Sequence, residues 1–592
     1  MKEKLLTVLV IIGIGAVALS SALFIARSIS SPPVEKIFPR DSLIYLSVSD
    51  MLFARENIKT TRLWTALNSA EVKPQFESLK EEFFAKTEER LGFNLKEMVD
   101  LMEKQVSFGV LKLPEKDKKP ELLFAADVKK TKSKMKDLFE KKIEPALKNK
   151  GMEITEVEYE GHPYRLVKKN DEPMFTYGFI GSVLTLANSE EAIRKAIKVE
   201  KGDAPSIAKN DSLKAMKARV SYKRGVLAYA DLKNLISKLK EKESGKKEEM
   251  DRAFALIGLE GLKAGVFCSS IERNGFHDRF FLSVEPKNGG IIGLALSQKP
   301  RQPKGINYIP KNISNMGILT FNDPDEIWVE IKEILKNNLS EEEYSKFEQK
   351  IAAFEKGFRL DVEEDILAPL GNEIGWAALT PKEMPSPGVK PSLAMISKTP
   401  FLVYLGAKDT EKFGKVVEQM TALLSLALQT SSATEDHLGY TITYFTSDLL
   451  KSSPGISLVD DFYLVASDKE LIKKAIESGK EKKGIQENAD YKLVTEGFPK
   501  KVNQLSYHDI PGILKNMAAL IKEEGIKEEQ MKQILTILPA ISNQLFGGAS
   551  YIKVEKGGVY GESFSSTGFF IGIAYFPMMR HKAVGAEPPS VK

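Results

Sequence analysis

Two stretches of the chain share one pattern of apolar and polar positions. Residues 178–197 read GFIGSVLTLANSEEAIRKAI, and residues 457–476 read SLVDDFYLVASDKELIKKAI. In each, an apolar run of strand length gives way to apolar residues three and four apart, which predicts a strand entering an amphipathic helix. Ala187, Glu191, Ile193, Lys195, Ala196 and Ile197 recur as Ala466, Glu470, Ile472, Lys474, Ala475 and Ile476, an offset of 279 residues. Asn188 and Ser467 stand at the expected N-cap, with Glu191 and Glu470 three residues on. That is capping-box spacing, in which each side chain satisfies a backbone N–H near the other.

The same alternation organises the rest. Strands are expected near residues 43–48, 106–113 and 122–126, a lysine-rich helix over 129–148, and strands near 154–159, 164–167, 175–180 and 183–187. A strand at 225–230, a helical stretch over 232–259 and closing strands near 262–271, 276–284 and 291–296 complete the first copy. The second copy repeats this order. Trp328 answers Trp64, Gly357-Phe358-Arg359-Leu360 answers Gly92-Phe93-Asn94-Leu95, and Tyr507-His508-Asp509 answers Tyr229-Ala230-Asp231. The run from Gly568 to Ala574 answers the one from Gly289 to Ala295. Consecutive strands joined by turns predict antiparallel pairing, so the expected class is α+β with each sheet's helices on one face. The expected divisions are a first repeat at 37–297, a linker at 298–304, a second repeat at 305–577 and a flexible tail at 578–592.

Ahead of the repeats lies an uncharged, mostly apolar run of 22 residues, 5–26. As a helix it would measure about 33 Å, enough for a bilayer core of about 30 Å. The run continues past the length of a cleavable signal, so residues 1–27 are expected to form a signal anchor with a transmembrane helix. Residues 28–36 would be a tether. The expected topology is a single pass through the cell inner membrane with the body on the extracytoplasmic side.

Composition excludes more than it assigns. At 592 residues two to four domains are expected, and 42% hydrophobic with 28% charged residues is ordinary for a globular chain. A net charge of +5 gives no whole-protein argument for nucleic acid. The single cysteine, Cys268, allows no internal disulfide and no cysteine-based metal cluster; it is read as a small core residue. Neither G-x-x-x-x-G-K-[ST], G-x-S-x-G nor H-E-x-x-H occurs. Ser506 and His508 share a strand face that excludes Asp509, which argues against a triad there. His162 falls in an exposed Gly-His-Pro turn. Asp361, Glu363, Glu364 and Asp365 suit a helix N-terminus, where carboxylates meet the positive end of the dipole. The lysines of 129–148 suit a solvated helix face, with an anionic membrane surface as the alternative. The apolar runs 420–428 and 534–541 are expected between layers, with an acyl-chain lining or a partner surface as alternatives. No catalytic, cofactor-binding or metal-ligating residue is assigned, and no cofactor is expected.

Pro39-x-Asp41-Ser42-x-x-Tyr45-Leu46 and Asp365-Ile366-Leu367-x-Pro369-Leu370-Gly371-Asn372-Glu373 resemble a family of bacterial, membrane-anchored proteins of unknown function. In that family a P-x-D-[ST] strand start is followed by a D-[IL]-L-x-x-L-G-x-E turn. The first copy departs from the second motif, with Met98-Val99-Asp100-Leu101 in place of its aspartate-led start. The resemblance implies an envelope location and no activity. The expectation is a non-catalytic, membrane-tethered binding or scaffolding protein with an envelope protein or lipid as partner and no nucleic acid. The alternatives are a carrier for an apolar ligand, which requires a cavity above about 300 Å³, and an enzyme with an unfamiliar cleft of perturbed titratable groups.

Overall fold

The computed structural model describes residues 33–114, 119–242, 247–285, 289–379, 400–428, 430–446, 452–515 and 537–568. Residues 1–27, most of the tether, the run after Gly568 and the tail lie outside them. The chain forms two compact units. One comprises Met1–Lys247 with Glu260–Glu285, the other Glu248–Leu259 with Pro286–Lys592.

The first unit contains β1 (Ile44–Val48), β2 (Val106–Lys112), β3 (Glu121–Asp127), β4 (Glu153–Tyr159), β5 (His162–Lys169), β6 (Glu172–Ile180), β7 (Val183–Ala187), β8 (Val226–Ala230), β9 (Leu262–Glu272) and β10 (Gly275–Val284). They pair antiparallel in the order β4-β5-β6-β7-β3-β2-β1-β8-β9-β10. The second contains β11 (Asn315–Thr320), β12 (Leu370–Ala378), β13 (Phe401–Ala407), β14 (Ser431–His437), β15 (Tyr440–Thr446), β16 (Gly455–Val459), β17 (Phe462–Ala466), β18 (Gln504–His508), β19 (Gly548–Glu555) and β20 (Gly558–Ser565). Its order is β14-β15-β16-β17-β13-β12-β11-β18-β19-β20, the first order strand for strand.

The repeated sequence is a buried stripe. Helix Glu190–Lys201 buries Ala192, Ile193, Ala196, Ile197 and Val199, and helix Lys469–Glu481 buries Leu471, Ile472, Ala475, Ile476 and Ser478. The two sets correspond position by position. Ser189 caps the first helix by accepting from Ala192 N, and Asp468 caps the second by accepting from Glu470 N. The expected caps, one residue earlier, do different work. Asn188 Oδ1 accepts from Leu122 N at 2.8 Å and its Nδ2 donates to Pro120 O at 2.6 Å. Ser467 Oγ accepts from Phe401 N at 3.0 Å. Each extends its strand's pairing by one residue beyond the last ladder pair, Leu123↔Ala187 or Leu402↔Ala466.

Three expectations are corrected. Among the described residues no helix is long and apolar enough to cross a membrane. Among the described residues the fold class is antiparallel sheet with helices, with no transmembrane helix; residues 5–26, where one was expected, lie outside them. Helices cover both sheet faces of the first unit, not one. Every residue of β3 is buried, with Leu122, Phe124 and Ala126 packed beside Met98, Met135 and Phe139, while helix Glu190–Lys201 lies against β3, β6 and β7. Residues 291–296, expected as a strand, belong to helix Gly290–Ser297. A short apolar run carries no period that separates strand from helix. Gly290, at φ +68°, sets the turn into it, where a Cβ would meet Ala255 O at 2.5 Å.

Candidate functional site

A cavity of about 810 Å³ opens in the first unit, at the C-terminal end of β1 and β9. Three pieces of chain enclose it: helix Met51–Ile58, the approach to β8, and the β9–β10 hairpin. Asp50 starts the helix by accepting from Leu52 N at 3.2 Å and Phe53 N at 3.4 Å. This aims Phe53, Ala54 and Asn57 at the cavity. Gly225 fixes the approach to β8. Its N–H donates to Ser49 Oγ at 3.1 Å, its φ is +109°, and a Cβ there would lie 2.1 Å from Ser269 O. Only glycine suits that position. Val226, Ile271 and Phe276 add apolar wall, and Arg224 stacks over the Phe53 ring with its guanidinium carbon 5.1 Å from the centroid.

One wall is polar. Arg279 Nη2 donates to Glu272 Oε1 at 3.1 Å, and Ser270 Oγ donates to the same oxygen at 2.9 Å. His277 Nδ1 lies 2.9 Å from Glu272 Oε2 and 2.6 Å from Arg279 Nη2. The His277 bond, with Ser270 and Arg279 behind it, holds the Glu272 carboxyl well below the usual range against the opposing effect of burial. Burial pushes the Cys268 thiol up to about 11 and raises Tyr222 above its ordinary value. These shifts leave a protonated thiol, a neutral phenol and a carboxylate of low basicity. A nucleophile or general base requires the opposite directions. The arrangement suits an apolar body in the cavity with a polar group against the arginine-bearing wall.

The residues weighed from sequence are engaged elsewhere. His508 Nδ1 contacts Asn315 Oδ1 at 2.8 Å, while Asp509 Oδ1 accepts from Gly512 N at 3.0 Å, so Ser506, His508 and Asp509 form no relay. His162 sits at the β4–β5 turn, its Nε2 3.5 Å from Glu200. Asp361 Oδ1 accepts from Glu363 N at 2.9 Å and Glu364 N at 2.8 Å, and Asp365 Oδ2 accepts from Asp361 N at 2.8 Å. Glu363 pairs with Lys332 and Glu364 with Lys412. In the lysine-rich helical stretch, Lys142 pairs with Glu97 at 2.7 Å, and Lys132 and Lys136 lie over the Phe179 ring. Within residues 420–428, Leu423 is exposed on helix Thr410–Leu428. Residues 534–536 lie outside the described residues. Among the described residues no three metal-ligating side chains cluster.

No motif marks the cavity. It is assembled where helix Met51–Ile58 and the approach to β8, distant along the chain, meet the β9–β10 hairpin; the glycine before β8 was a local signal. No curated relative matches the chain. Solved structures of TP0453 are similar at low identity. Crystal form III is 11% identical over 45% of this chain and 86% of that one, with a TM-score of 0.24. Crystal form IV is 12% identical over 43% and 81%, also at 0.24. The family model described as "Protein of unknown function (DUF3352)" matches twice in tandem, over residues 5–292 and 287–544, and the chain belongs to that family.

Proposed function

We propose that this protein is a non-catalytic binding protein of the cell envelope whose first unit holds a small amphipathic molecule. The cavity of about 810 Å³ carries this reading. It falls in the range of small-molecule sites, about 300–1,000 Å³, and joins an apolar lining to a few convergent polar groups. The directions of the Cys268, Tyr222 and Glu272 shifts favour holding over turnover. The apolar run at residues 5–26 supports association with a membrane and an extracytoplasmic body. No nucleic-acid partner is proposed, in line with the net charge of +5.

A scaffolding role is the second reading, favoured by one observation. Leu319 on β11 is 50% exposed and Trp376 on β12 is 44% exposed, whereas their first-unit counterparts Val48 and Phe108 are 1% and 9% exposed. The second unit thus shows apolar surface where the first buries it, as a protein-docking face would.

Titration with 11-(dansylamino)undecanoic acid tests the binding reading. Saturable one-to-one enhancement of dansyl emission is expected. Ala54→Trp, and independently Asn57→Phe, should weaken it at least tenfold by filling the cavity. Absence of saturable binding, or equal binding by both variants, would refute it.

A further inference from the structure

The second unit has a pocket of about 460 Å³ lined by Arg301, Lys304, Lys408 and Lys501. Separate pieces of chain bring these cations together. Arg301 forms an isolated antiparallel bridge with Val502, which sets Lys501 beside it. The backbone N–H groups of Lys304 and Gly305 donate to Glu373 Oε2 at 2.7 Å and Oε1 at 2.8 Å. Lys408 follows β13, with its N–H donating to Pro369 O at 2.8 Å.

Three carboxylates, of Asp323, Glu373 and Asp461, share the pocket. Glu373 is buried and its oxygens are occupied by those two N–H groups and by the Tyr404 hydroxyl at 2.8 Å. Burial also raises its pKa. Asp323 lies 3.5 Å from Lys408. Cations therefore outnumber the carboxylates that face the open space. Arg301 supplies the planar member of the set: a guanidinium presents a fork of paired N–H donors that matches two oxygens of an oxyanion.

We propose that this pocket binds a phosphate-class oxyanion, held by Arg301 together with Lys304, Lys408 and Lys501, which neutralise its charge. The site is independent of the first-unit cavity. The phosphate group could be free or the headgroup of a lipid, and the two are separable. Calorimetry on the full chain would use inorganic phosphate in one arm and water-soluble dihexanoyl phosphatidic acid in the other. Binding of inorganic phosphate identifies the free ion as sufficient; binding of the short-chain lipid alone identifies a headgroup. Either supports the proposal if Arg301→Gln weakens it at least tenfold and Arg301→Lys, which keeps charge and loses the fork, at least threefold. Lys501→Gln, at an exposed position, guards against misfolding: it should weaken binding at least threefold with an unchanged melting temperature. Binding of neither probe, or wild-type binding by Arg301→Gln and Lys501→Gln, overturns the proposal.

Discussion

Asn188 is the most informative single position for the duplicated fold. Asn188→Ala removes two hydrogen bonds at once, 2.8 Å from Leu122 N and 2.6 Å to Pro120 O. The Leu122 backbone lies in β3, whose residues are all buried, so its N–H would lack a solvent partner. Such a group costs about 1–3 kcal/mol. Pro120 is half-buried, and water can replace the lost donor to its carbonyl at roughly 0.5–1 kcal/mol. The expected total is about 1.5–4 kcal/mol. Asn188→Ser should cost only about 1 kcal/mol, because Ser467 makes the equivalent bond to Phe401 N in the second unit. Ser467→Ala removes that one bond and should cost about 1–2 kcal/mol. Urea denaturation followed by Trp64 fluorescence, in a background with Trp328 and Trp376 replaced by Phe, reports the first unit. The reasoning fails if Asn188→Ala stays within about 0.5 kcal/mol of the parent, or if Asn188→Ser costs as much as Asn188→Ala.

Other outcomes follow from the same geometry. Gly225→Ala forces a Cβ to 2.1 Å from Ser269 O at φ +109° and should destabilise by more than about 2 kcal/mol, read as a lowered urea midpoint. Lys482 ends helix Lys469–Glu481 in the left-handed region at φ +52°, so Lys482→Gly should raise stability by up to about 1 kcal/mol in a thermal melt. Glu272 has a folded pKa below its unfolded value, so its contribution is complete above about pH 4.5 and is lost as pH falls towards the folded pKa. Glu272→Gln should lower stability at pH 7 and flatten the dependence of the melting temperature on acid pH; an unchanged profile would show that the His277 and Arg279 contacts carry no net stabilisation.

The duplication was legible in the sequence because the signal lay in burial. The stripe at Ala192, Ile193, Ala196 and Ile197 returns as Leu471, Ile472, Ala475 and Ile476, and the helices carrying it pack on equivalent strands. The caps were misplaced by one residue because Asn188 and Ser467 have good capping chemistry but spend it on the neighbouring strand. The end of the first copy was misread because a run of six residues is too short to show a period. Neither site was legible. The cavity depends on β8, β9 and β10 meeting helix Met51–Ile58 across much of the chain, and no short motif encodes such a meeting. Arg301 and Lys304 stood in a proline-containing basic run that reads as a linker; their docking on Glu373 and Val502 is set by tertiary contacts. The difference between Val48 and Leu319 is equally hidden, since both are apolar residues on a strand.

Native mass spectrometry of the chain, gently isolated from its source cells, bears most directly on the proposed ligand role. A stoichiometric non-protein mass on the wild-type chain, missing from Ala54→Trp, is the predicted result. A bare wild-type chain, or the same bound mass on Ala54→Trp, would contradict it.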